Sequence, residues 1–372
     1  AQIDKLTAAQ VKALTTAQIG ALDSAQVAKL TTEQLNALSG VQVAALDAGD
    51  LAGLSVAKVQ AFTTDAVAAM TTAQVAAMNT TQVAALTTGQ MAALTATEVK
   101  AFSTSQVQAL GSTQVNALTN ANVAALTTTQ VASLTAGQVT GLSTAAAASL
   151  VTAQMQALSS TQVQAISTTN VAAMSSTQLA ALTTGQVSAL TTAQVVALET
   201  ADVKALSTAQ VASMTTDQVK VLESADIVAM STGQVAALST AQVQALTAGN
   251  VTALSTSQVQ AMSTAQVNAL STAQVVAMTT SQVASLSAAQ VKGMSTEQVK
   301  ALENADVQVL NATQIKALTT AQVQALETTD VAGLNTTQLA ALTADQVSAF
   351  TTAQVVSLTT SEVSHLSYDQ VK

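Results

Sequence analysis

Apolar side chains recur along this chain at one fixed interval. A Leu, Met, Phe or Ile stands at Leu6, Leu14, Leu22 and every eighth residue to Leu366, 46 positions with no insertion or deletion. Three residues before each of them is a second apolar position, running from Ile3 to Val371, aliphatic except at Met91, Met155 and Ala147. With the octad lettered a to h, Leu206-Ser207-Thr208-Ala209-Gln210-Val211-Ala212-Ser213 is one complete unit.

The period excludes several architectures. A continuous α-helix advances about 100° per residue, so eight residues overshoot two turns by about 80° and the apolar stripe winds around the axis. A coiled coil needs a spacing near 3.5 residues. In a strand, f and a are three apart and point to opposite faces. The tight corners of a β-solenoid also favour Gly, Asn or Asp, whereas the 13 Gly here are scattered over several octad positions.

The polar positions select a short helix restarted in every octad. Position b is Ser or Thr in 35 of 46 octads, and Asp23, Asp47, Asn79, Asn311 and Asn335 raise the number of preferred N-cap residues to 40. Three residues later, position e is Gln in 34 of 47 cases, which completes a capping box. Charge sorts the same way. Of 20 acidic residues, 19 lie at b, d or e, and ten of 11 Lys lie at g or h; Asp4 and Lys58 are the exceptions. Negative charge at helix starts and positive charge near helix ends is what the peptide dipoles favour.

Each helix is about six residues long and cannot stand alone in water. The sequence therefore predicts an all-α solenoid of very short helices, one per octad. Positions f, h and a face inward, and Ser/Thr and Gln face water. Glu replaces Ser/Thr at Glu199, Glu223, Glu303 and Glu327, each followed at e by Asp202, Asp226, Asp306 or Asp330. Within each pair the spacing is 24 residues, which points to three octads per superhelical turn. Neither a linker nor a composition shift interrupts residues 1–372, which read as a single repeat array. The chain begins at Ala1 and stops at Lys372 inside an octad, so it reads as a processed chain or a section of a longer one.

Composition narrows the chemistry. There is no Pro, Cys, Trp or Arg, one Tyr and one His, and the formal charge is −9. An acidic chain lacks the basic footprint expected of a nucleic-acid binder. Ser/Thr in each octad interrupts every apolar run before the roughly 18 residues a bilayer span needs. His365 is the one histidine, in an h slot near the end, and with Tyr368 it reads as an exposed irregular last repeat. The Glu/Asp octads read as solvated acids at helix starts, lacking the ligand spacing of an EF-hand. Phe62, Phe102, Phe350 and the Met at a read as core substitutions for Leu. No catalytic, cofactor or metal site is expected, and no enzyme.

The tandem L-[ST]-T-A-Q-V-x-A-L units, as at Leu190 to Ala197, resemble the Ala/Thr/Gln-rich octapeptide tracts of very long bacterial secreted or surface proteins, adhesin-like and RTX-like among them. That resemblance implies an extracellular spacer, stalk or fibre that associates with itself end to end and laterally. The same phrase also looks like the opening of transcription-activator-like effector repeats, but their longer repeat and base-reading loop are absent and the acidic charge opposes DNA. A second reading uses the regular Ser/Thr hydroxyls at b and c to dock ice or a polysaccharide.

Overall fold

The structure, a computed structural model, describes residues 2–372. Among them a short 3-10 turn, Ile3–Lys5, is followed by 46 α-helices, α1 (Ala8–Lys12) to α46 (Tyr368–Val371), one per octad. The described residues contain no strand. They form two compact units, Ala1–Leu190 and Thr191–Lys372.

The local rule is the same in both. In α9 (Thr72–Ala77) the Thr71 side chain accepts from the Gln74 backbone N–H at 3.2 Å, and Gln74 Oε1 accepts from the Thr71 backbone N–H at 2.8 Å. Two otherwise orphaned donors at the helix start are satisfied reciprocally. The helix ends at Met78, whose N–H donates to the Val75 carbonyl, and Met78 and Asn79 then run extended at φ/ψ of −61/136° and −78/166°. The link between helices is thus two residues of polyproline-II-like backbone. No described residue has positive φ. This is why the corners need no Gly, and why the few Gly are scattered.

In the first unit, α6 (Ala48–Ala52) packs on α9, and α9 packs on α12 (Ala96–Ala101). The second repeats this, with α25 (Thr200–Ala205) on α28 (Ser224–Ala229) and α28 on α31 (Ala248–Ala253). Each helix therefore meets its third neighbour, the spacing that the Glu/Asp octads predicted. Hydrogen bonds between layers join residues 25 to 31 apart, so within each unit one superhelical turn takes between three and four octads.

Within each unit the core is built of f and a side chains. Val75, Val83 and Met91 at f, and Leu86, Phe62 and Phe102 at a, are all buried; Phe350 is half-buried. Position h sits at the margin, mostly half-buried, where successive turns come closest. A Cβ added at Gly141 would lie 2.5 Å from the Ser112 Cβ. Gln does not face water, contrary to the expectation from the repeat pattern: Gln74 is only 1% exposed, and the e position is buried through most of both units. The cause lies in the amide, described next.

Candidate functional site

The repeated polar feature is a ladder of buried glutamine amides. The capping box uses only Oε1 and leaves the two Nε2 hydrogens without partners, and a buried amide cannot leave them so without a cost of about 1–3 kcal/mol. Gln74 Nε2 donates to the carbonyl oxygens of Val43 and Leu46, both at 2.8 Å. These are the last carbonyls of α5 (Gly40–Ala44) and its link, four octads back. In the second unit Gln242 repeats the arrangement on Val211 and Met214, at 3.1 and 2.7 Å. A single side chain thus closes the start of its own helix and the end of another. Only an amide long enough to accept at one end and donate twice at the other does this.

Substitutions at e show what the slot selects. Asn170 and Asn250 are one methylene shorter and keep only the second bond, to Leu142 at 2.9 Å and Leu222 at 3.0 Å. Lys58, the one Lys outside g and h, sends Nζ to the Ala28 carbonyl, 30 residues back, using the same acceptors as a cation. A second, outer set of bonds runs the other way: Asn116 Nδ2 donates to the Gly141 carbonyl at 2.5 Å and Asn268 Nδ2 to that of Gly293 at 2.7 Å.

Acids at e behave differently. Glu98 Oε2 accepts the Thr95 N–H at 2.5 Å, while Oε1 is buried without a partner. Burial pushes the Glu98 carboxyl above its usual range, opposed in part by the Thr95 N–H and hydroxyl. The Glu/Asp octads are half solvated and half not. Glu199, Glu223, Glu303 and Glu327 are exposed, but Asp202, Asp226, Asp306 and Asp330 are buried. That corrects the expectation of solvated acids throughout. The shorter Asp still accepts its N-cap N–H, at 2.9 Å from Glu199 and 3.2 Å from Glu303. Burial raises the Asp306 and Asp330 carboxyls; the Glu303 and Glu327 N–H groups oppose the shift, and their carboxylates add to it.

The remaining sequence candidates do not converge. His365 is exposed, its Nδ1 2.7 Å from the Ser361 carbonyl oxygen in its own helix. Tyr368 is exposed with Lys372 Nζ 6.0 Å from its ring centre. Among the described residues no group of three His, Cys, Asp or Glu side chains is placed to hold a metal ion. None of their helices is long and apolar enough to cross a membrane. Open grooves of about 480 to 600 Å³ lie on the surface, one of them beside Lys292, Lys316 and Asp345. Most b hydroxyls are engaged in capping, whereas c hydroxyls such as Thr72, Thr88, Thr208 and Thr232 are exposed.

No curated protein matches the chain. A family model described as the ALTTAQ repeat matches residues 3–40, 43–80, 68–96, 83–120, 161–192, 195–224, 219–256, 249–280, 276–304, 299–329 and 323–360. The unmatched stretch 121–160 holds the departures Ala146, Ala147 and Val151, yet the helices Thr144–Ala148 and Thr152–Ala157 form there as elsewhere. With its matches tiling most of its length, this tandem repeat chain belongs to the ALTTAQ repeat family.

Proposed function

We propose that the chain is an extracellular structural element, a stalk, fibre or filament subunit, and not an enzyme. The observation that carries this reading is the chemistry of the layer-to-layer joint. Most joints use backbone carbonyls and one Gln amide, so one octad fits on another by the same contacts and the array lengthens simply by adding octads. The outermost layers keep the same chemistry unused. Gln10 and Gln18 are exposed, with Oε1 in the capping box, and Val355, Val363 and Val371 are 51, 45 and 58% exposed where interior f residues are covered. Such faces suit a further turn of octads, from the same chain or from another copy, which is the ground for self-association end to end; lateral packing is proposed beside it.

Electron microscopy of concentrated protein, with immunolabelling of the source cells, tests the proposal. Filaments and label outside the cell are expected; dispersed single particles with label confined inside would overturn it. The alternative, docking of ice or polysaccharide on the Ser/Thr face, is favoured by the exposed c hydroxyls. Replacing consecutive c residues Thr200, Thr208 and Thr216 by Val should then abolish adsorption to ice or an insoluble glycan with circular dichroism unchanged, and retained adsorption would exclude it.

A further inference from the structure

Glu98 Oε1 is the one fully enclosed side-chain oxygen among the described residues without a hydrogen-bond partner. It occupies a Gln slot in α12, and by the register of the other slots the residues 31 and 28 positions back are Val67 and Met70. Their carbonyls are those a Gln Nε2 would meet, as Gln106 does with Val75 and Met78 one octad on. By that register a carboxylate would set a lone pair against two carbonyl oxygens with no proton between them. A carboxylic acid keeps both functions of the missing Gln: Oε2 accepts from the Thr95 N–H, and Oε1–H becomes a donor.

We propose that Glu98 is a protonated, neutral acid in the folded protein that donates Oε1–H to the Met70 carbonyl, and that losing this proton loosens the joint between its layer and the one four octads before. The surroundings supply no cation to hold the charged form. The helices packed against α12, which are α9 and Asn120–Ala125, carry no titratable residue, nor does Thr128–Ser133, whose Gln130 bonds the end of α12. Thr64–Ala68, which ends at the acceptor carbonyls, carries only the exposed Asp65, whose negative charge favours the neutral acid. Lys100 lies on α12 itself and is exposed. Burial raises the Glu98 carboxyl in the same direction. The joint is therefore a point in the array that weakens as the medium becomes alkaline.

The test compares the full chain with Glu98→Gln, which restores the majority residue and so folds. Amide hydrogen exchange across residues 64–101, corrected for its intrinsic pH dependence, is measured from acid to mildly alkaline pH. Local opening in the unaltered chain should rise by up to about tenfold per pH unit relative to E98Q, above the unfolded carboxyl value and until the folded value is passed. Infrared spectra at neutral pH should show a protonated-carboxyl C=O stretch that E98Q reduces. Superimposable opening in the two proteins at every pH overturns the proposal. So does protection that grows with added calcium while E98Q leaves the protonated-carboxyl stretch unchanged, which would put a cation where the proton is placed.

Discussion

Gln106 donates its side-chain amide to the Met78 carbonyl at 2.7 Å while its side-chain oxygen accepts the Ser103 N–H at 2.7 Å. The first contact crosses 28 residues and the second crosses three, so one side chain joins local helix initiation to the stacking of turns. Helices of four to six residues persist because in most of them the same group that starts the helix also ties it to an earlier layer.

Removing this amide should cost more than removing an ordinary surface polar group. Gln242→Met keeps the length and apolar contact but removes the acceptor of the Ser239 N–H and the side-chain donor to the Val211 and Met214 carbonyls, of which Val211 keeps the Met214 N–H. A local destabilisation of about 2–4 kcal/mol is expected, read as faster amide exchange in residues 207–246. Exchange unchanged there would mean that water takes over all three bonds.

Cap substitutions should be milder and local. Thr71→Ala deletes the acceptor for the Gln74 N–H but leaves the Oε1 and Nε2 bonds in place, and about 1 kcal/mol is expected. Chemical denaturation of T71A beside a surface substitution at Thr72 measures the difference.

Ala146 gives the opposite case. It occupies an e slot with no amide, and the register assigns it the Val115 and Leu118 carbonyls. Ala146→Gln should stabilise the first unit by about 0.5–1.5 kcal/mol through a restored joint. A fall in melting temperature would show that neighbouring side chains have closed that space.

Asp306 and Asp330 set a pH dependence of definite sign. Their folded carboxyls lie above the ordinary Asp value of 3.8, so the folded state holds their protons more tightly than the unfolded state does. The stability from this source is fully present below the unfolded value and is lost as pH rises through the folded one. Asp306→Asn with Asp330→Asn should remove that loss, with each Asn donating to the carbonyl 28 residues back, Met278 or Leu302, as Asn250 does to Leu222. Melting curves between roughly pH 4 and 7 should fall with pH in the unaltered protein and flatten in the double variant; parallel curves would contradict this.

Much of this was legible in the sequence. Ser207 at b with Gln210 at e announced the capping box, and the sorting of Asp and Glu to helix starts and Lys to helix ends separated helices from strands. The 24-residue spacing of Glu199 and Glu223 matched the third-neighbour packing of their helices. The second half of each glutamine was not legible. Its Nε2 partners, such as Val43 and Leu46 for Gln74, lie 31 and 28 residues away, and nothing local marks a backbone carbonyl as open to a further donor. The signal available was chemical: a slot that needed only a cap acceptor would admit Glu as readily as Gln, yet Gln holds 34 of 47 such slots and Glu only Glu98 and Glu362. A preference for an amide over an acid implies a donor requirement, and therefore burial.

The most direct test of a layered, mechanically extensible array is single-molecule stretching of the chain between its ends. If each turn is held to the next by its own amide joints, extension should proceed in successive small steps, each releasing 24 to 32 residues, or about 80–115 Å of contour. Gln242→Met should make one such step occur at lower force. A single all-or-none rupture of the whole chain, unaffected by that substitution, would contradict the account.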